Sequence, residues 1–212
     1  EDPAVVSLIK QLFAPDGAAQ REHNAASASL GFGAIHYGFV VNLRPRRVLA
    51  IGSRHGYIPA VIALALKCNG EGTLDFVDAN YSDAAHGFGT AYGGVGHWAG
   101  DASQRFAPFN LFEHVQVHVT RSSDFFASCT ATFGYIYLDG NHSYEGLRYD
   151  LEQSVARAEP GAIIALHDVA VTDPAFGVGR LFDGLDDGRF GKLVIGAWPG
   201  LGIVQLKPRA QP

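Results

Sequence analysis

Apolar residues along the chain fall into two alternating rhythms. Short runs at residues 47–52, 73–78, 114–120, 135–139 and 162–167 predict five strands. The run at 47–52 is of the kind buried on both faces, since a strand with one wet face alternates apolar and polar positions. Between them the spacing becomes helical. Residues 59–67, rich in Ala, Leu and Ile, predict one helix, and Leu147, Leu151 and Val155 predict the inner face of another. Ser143 is placed to cap that second helix, and Glu145 suits its positive end. Pro160-Gly161 then predicts a turn into the fifth strand.

The two ends of the chain read differently. Val6, Ile9, Leu12 and Phe13 predict a short helix over 3–14, broken by Pro15-Asp16-Gly17, and a second helical stretch runs over 21–43 until Pro45 stops it. Residues 193–198 and 201–206 predict two strands joined at Pro199-Gly200, a connection short enough only for an antiparallel hairpin. Residues 80–112, rich in Gly, Ala, His and aromatics, are long for a simple connection and predict a partly helical insertion over a site. Strands alternating with helices require a parallel sheet covered on both faces. The expected fold is therefore α/β: a doubly wound, mostly parallel, seven-stranded Rossmann-like sheet closed by a C-terminal antiparallel hairpin. With no repeat or low-complexity linker, residues 1–212 read as one domain, with N-terminal helices in 1–43 and the core in 44–207.

Composition narrows the function classes. A chain of 212 residues with 47% hydrophobic and 17% charged residues is long and apolar enough to bury a large core. A formal net charge of −5 gives no general attraction to nucleic acid or to an anionic membrane, so neither is expected as a partner. The longest apolar runs are too short to cross a bilayer, and Glu1-Asp2-Pro3 does not read as a leader. Cys68 and Cys129 lack metal-like spacing and read as free thiols, so a cytoplasmic location is expected. Self-association is left open.

Candidate chemistry begins at the first strand, which runs into Gly52-Ser53-Arg54-His55-Gly56 and then a helix. Two glycines in a strand–turn–helix let the backbone approach a ligand near free helix N–H groups, although such a turn also occurs with no ligand. Asp78, 26 positions after Gly52 at the end of the second strand, can accept hydrogen bonds from both hydroxyls of an adenosine ribose. Its alternative is a loop carboxylate exposed to water. Asp75, three positions earlier, points to the opposite face.

The run from Arg47 to Tyr57 resembles the first motif of the class I S-adenosylmethionine-dependent methyltransferases. Tyr137-Leu138-Asp139-Gly140-Asn141-His142-Ser143-Tyr144-Glu145, followed by Pro160-Gly161 and Leu166-His167-Asp168-Val169, is similar to the macrocin-type and related sugar O-methyltransferases and to cephalosporin-pathway methyltransferase-like proteins. The resemblance covers residues 28–207. It implies that Gly52, Ser53 and Gly56 face the methionine part of the cofactor, Asp78 its ribose and Ser123 its adenine, with Asp139 also on the cofactor. Three features depart from the family: Ala50 and Asn141 stand where acidic residues are common, and Arg54 and His55 replace smaller turn residues.

Asp139 and Asp168 end neighbouring strands in the expected order, which puts their carboxylates about 5 Å apart. Like charges that close need a proton or a cation between them, and a hard divalent ion such as Mg²⁺ is one answer. Asp139 and Asp168 are the first candidate ligands. His167 comes second, because adjacent strand residues point to opposite faces. The plainer alternative is that Asp139 holds the cofactor and Asp168 caps a loop. His142, in the loop entering a helix, is the candidate general base for a substrate hydroxyl, with Asp139 beside it, because Asn141 cannot accept a proton. The expected reaction is methyl transfer to a hydroxyl of a small molecule, a sugar or natural product. Two rivals remain: a nicotinamide-dependent oxidoreductase, and a methyltransferase-like binding protein without turnover.

Overall fold

In the computed structural model, residues 31–80, 97–98 and 100–207 are described. Seven strands form one sheet: β1 (Arg47–Ile51), β2 (Thr73–Asp78), β3 (Val115–Val119), β4 (Phe133–Leu138), β5 (Ala158–His167), β6 (Phe190–Ile195) and β7 (Leu201–Leu206). Their order is β3-β2-β1-β4-β5-β7-β6. The first five pair in parallel, and β7 pairs antiparallel with both β5 and β6. Alternation along β1 shows why the run had to be wholly apolar. Val48 and Ala50 enter one core layer while Leu49 and Ile51 enter the other.

The first layer is made by α1 (Phe32–Leu43) and α2 (Tyr57–Asn69), the second by α3 (Ser122–Ser128), α4 (Tyr144–Ala156) and α5 (Val178–Asp183). Helix α2 begins two residues before the expected start at Pro59. Proline is tolerated there because first-turn N–H groups have no intrahelical acceptor. Helix α4 starts where expected: Ser143 Oγ accepts the Gly146 N–H at 3.1 Å, and Leu147 and Leu151 are buried.

Several expectations change. The helix over 3–14 lies outside the described residues, and of the 21–43 stretch only Phe32–Leu43 is described as helix. Pro160-Gly161 does not precede β5 but bulges within it. The register with β4 passes from Phe133↔Ala158 to Tyr135↔Ile163, so the extra residues loop out of the ladder. The first hairpin strand is Phe190–Ile195 rather than 193–198, pairing Phe190 with Leu206 and Ile195 with Leu201. Residues 196–200 make the connection, in which Pro199 has no N–H to offer a ladder. Of the insertion, 81–96 and 99 lie outside the described residues, while Ala102–Phe109 and Phe112–His114 are 3₁₀ helices. Helix α5 was not expected, since six residues are too few to show a helical period.

Candidate active site

The parallel strands deliver their C-terminal ends to one edge, where β1, β2, β4 and β5 each stop at a residue of the site. Gly52 follows β1 at φ 70°, and its N–H donates to Val77 O at 2.8 Å. On its other side the chain leaving β4 comes so close that a Cβ at Gly52 would lie 2.1 Å from Asp139 O. Only glycine fits between those two strand ends. Asp78 is 8% exposed, and its Oδ1 accepts the Asn80 N–H at 2.7 Å. Burial pushes its carboxyl up to about 6, and the nearby Asp139 charge adds to this against hydrogen bonds from the Asn80 and Ser53 backbones. The insertion braces the turn: buried Trp98 donates its N–H to Asn80 Oδ1 at 2.8 Å and its Nε1–H to Arg54 O at 3.1 Å.

On the other side of Gly52 lie Asp139, His142, His167 and Asp168. Tyr137 Oη donates to Asp139 Oδ2 at 2.9 Å. His142 Nε2 stands 3.0 Å from Asp168 Oδ2 and 3.4 Å from Asp139 Oδ1. Asp168 takes φ 65°, which turns it out of the strand direction and brings it to the same side as its neighbour. His167 Nδ1 lies 3.0 Å from Asp168 Oδ1 and 3.4 Å from Asp139 Oδ1. Those contacts are poorly aligned for hydrogen bonding, so His167 acts on the carboxylates chiefly through charge. Burial disfavours the charged imidazole, but Asp139 and Asp168 outweigh it and hold His167 protonated well above the ordinary histidine range. Burial likewise opposes ionisation of both carboxyls. The His167 charge and the contacts from His142 overcome it and hold them below the ordinary aspartate range.

The structure thus brings Gly52, Ser53, Gly56, Asp78, Asp139, His142, His167 and Asp168 to one sheet edge. Asp139, His142 and Asp168 form a group whose potential ligand atoms lie within 4.8 Å of one another; His167, the second-choice ligand from sequence, is outside that group. Ser123 is exposed on α3, whereas its neighbour Ser122 hydrogen-bonds the buried Asp150 carboxyl, which burial raises to about 6. Asp75 faces away from Asp78. It binds Arg47 Nη2 at 2.6 Å and His118 Nε2 at 2.8 Å, a hydrogen-bonded cluster that ties β1, β2 and β3. Sequence reasoning missed Tyr137 and Phe176. Phe176 stacks on the His142 ring with centroids 4.6 Å apart. No spacing rule ties a loop aromatic to a histidine 34 positions earlier.

This strand order, with an antiparallel β7 set between β5 and β6 and a glycine turn facing a strand-end aspartate, defines the class I S-adenosylmethionine-dependent methyltransferase fold. The chain belongs to the family described as methyltransferase domain, whose model matches residues 49–169. Its solved structural relatives include the O-methyltransferase TomG from Streptomyces achromogenes, involved in tomaymycin synthesis and solved with S-adenosylmethionine. TomG is 19% identical, covering 98% of this chain and 91% of that one, with a TM-score of 0.66. An O-methyltransferase from Bacillus cereus, solved with S-adenosylhomocysteine, is 17% identical over 95% and 91% of the two chains, with a TM-score of 0.66. At such identities the likeness carries the fold. A curated relative, the uncharacterized protein y4gI of Sinorhizobium fredii, is 24% identical over 164 residues, 72% of this chain. The match spans 16% of that protein's length. The family match and the antiparallel β7 remove the nicotinamide-dependent oxidoreductase. Among the described residues no helix is long and apolar enough to cross a membrane.

Proposed function

We propose that this chain transfers a methyl group from S-adenosylmethionine to a hydroxyl of a small molecule, a sugar or natural-product scaffold. The observation that carries the reading is the Asp139–His142–Asp168 group standing across Gly52 from Asp78. It sets a proton-accepting cluster beside a cofactor turn.

The residues present fit the cofactor. Gly52 and Gly56 put no side chain at the two ends of the turn, and Asp78, ionised above about pH 6, accepts hydrogen bonds from the ribose hydroxyls. When bound, S-adenosylmethionine supplies the methyl carbon, whose bond to sulfur breaks, leaving the electron pair on sulfur, as the acceptor oxygen bonds to it. The chain's own residues orient the oxygen and take its proton. Carboxylates only accept hydrogen bonds, so His142 Nε2, facing Asp139 and Asp168, carries a ring proton. The hydroxyl proton passes to the imidazole, and Asp139 and Asp168 stabilise the imidazolium until it returns the proton to water.

The same group fits a divalent ion held by Asp139, Asp168 and His142 Nε2, with two oxygen donors suiting Mg²⁺ and the nitrogen suiting Mn²⁺ as well. Such an ion would polarise the acceptor hydroxyl, and it would compete with the Nε2 proton of His142 for one place. The test has two stages: calorimetry with S-adenosylhomocysteine, then transfer of labelled methyl to a panel of sugars and ring-bearing hydroxyl compounds, with and without chelator. Labelled ether is the expected product. Homocysteine-cofactor binding with no transfer across the panel would favour a methyltransferase-like binding protein, and no cofactor binding would sink both.

A further inference from the structure

Between β5 and α5 the chain runs as a strap over the cluster, tied down at both ends. At its start Asp168 O accepts the Val171 N–H at 3.1 Å, and the Ala170 N–H donates to Pro199 O at 2.9 Å. Near its end Asp173 builds a turn: its Oδ1 accepts the Ala175 N–H and its carbonyl the Phe176 N–H, both at 2.9 Å. The next residue closes the strap, the Gly177 N–H donating to His142 O at 2.7 Å. A Cβ at Gly177 would lie 2.3 Å from Tyr144 N, so the approach is as near as a backbone allows. Phe176 is therefore held in register with His142 by its neighbour's main chain. Its ring lies on the imidazole at 28° between planes.

We propose that Phe176 is a positioning residue that fixes the plane of the His142 ring against the Asp139–Asp168 carboxylates. The carboxylates hold the imidazole by its Nε2 edge and Phe176 holds it by a face. To turn about its Cβ–Cγ bond the imidazole must pass perpendicular to its present plane, which requires Phe176 to move. The stack keeps Nε2 on the carboxylates. This inference rests on the proposed function, in which His142 stands at the reacting hydroxyl.

The test compares Phe176→Leu, which keeps bulk but removes the plane, with Phe176→Tyr, which keeps the plane. Misplacing a catalytic group by about 1 Å costs up to about 10²-fold, so Phe176→Leu is expected to lose roughly 10–10²-fold in kcat. Its S-adenosylhomocysteine affinity and the KM for S-adenosylmethionine should not move, which also reports an intact fold. Phe176→Tyr should restore most of the turnover. Wild-type kcat in the leucine variant, or equal loss in both variants, overturns the proposal. A second readout needs no acceptor: the orientation of the His142 ring about its Cβ–Cγ bond, read in chelator from NOEs of its ring protons, assigned by their loss in His142→Gln. Wild type should show one orientation, and Phe176→Leu an average of several. A single orientation in the leucine variant overturns the inference whatever the activity. Absence of methyl transfer by wild type overturns the function reading instead.

Discussion

Replacing Gly52 by alanine puts a methyl group where the structure has only backbone. The added Cβ would stand 2.1 Å from Asp139 O, 2.6 Å from Asp139 C and 2.7 Å from Gly140 Cα. None of these is the end of a flexible side chain, so the strand-end loop carrying Asp139 has to move. A φ of 70° adds left-handed strain of about 1–2 kcal/mol for a residue with a Cβ. Forcing a methyl into packed structure adds about 1–3 kcal/mol, giving roughly 2–5 kcal/mol in all. For a domain of this size that lowers Tm by roughly 4–20 °C. Gly70→Ala is the control, because Gly70 has φ 74° but nothing within 4 Å of the added carbon. It should show the strain alone, roughly 2–8 °C. Thermal melts of both variants, with S-adenosylhomocysteine calorimetry, separate the two effects. Gly52→Ala should lose cofactor affinity and Gly70→Ala should keep it. Equal melting shifts with unchanged affinity in both variants would refute the steric reasoning at the turn.

Three further outcomes follow from the same geometry. Asp78→Ala should weaken S-adenosylhomocysteine binding by roughly 1.5–3 kcal/mol, through loss of hydrogen bonds to a charged acceptor, as read by calorimetry. Because burial raises Asp78 to about 6, protonation removes the acceptor below that pH. Wild-type affinity should therefore fall as pH drops through 6, and a flat profile would take Asp78 out of the site. His142→Ala should keep cofactor affinity but lose about 10²–10⁴-fold in methyl transfer, and full activity would return His142 to a structural role. Chelation separates the two answers to the carboxylate pair. If an ion sits at Asp139 and Asp168, activity falls with chelator and returns with Mg²⁺ or Mn²⁺, whereas an ordered ternary complex in excess Mg²⁺ with no ion between them would end the metal reading.

Local pattern was enough for what depends on burial alone. The parallel strands were legible from their apolar residues, most plainly β1, which is covered on both faces and so is apolar from Val48 to Ile51. The same holds for α4, whose cap and inner face are written in Ser143, Leu147 and Leu151. The Gly52 turn, Asp78, Asp139, His142 and Asp168 stood out because glycines and carboxylates at strand ends have few other uses. Helix α5, the bulge at Pro160-Gly161 and the shift of β6 were not legible. Each is set by what packs against it rather than by its own period. Only the tertiary structure decided how Asp168 reaches the side of Asp139: a single left-handed residue reversed the alternation that sequence assumes of a strand. It also decided that His167 sits in contact with both carboxylates as a buried cation, and that Phe176 lies on His142. Those contacts join segments far apart in the chain. Sequence names the groups that can react, but packing sets the distances between them, and distance decides which charges are held and which ring nitrogen faces a proton.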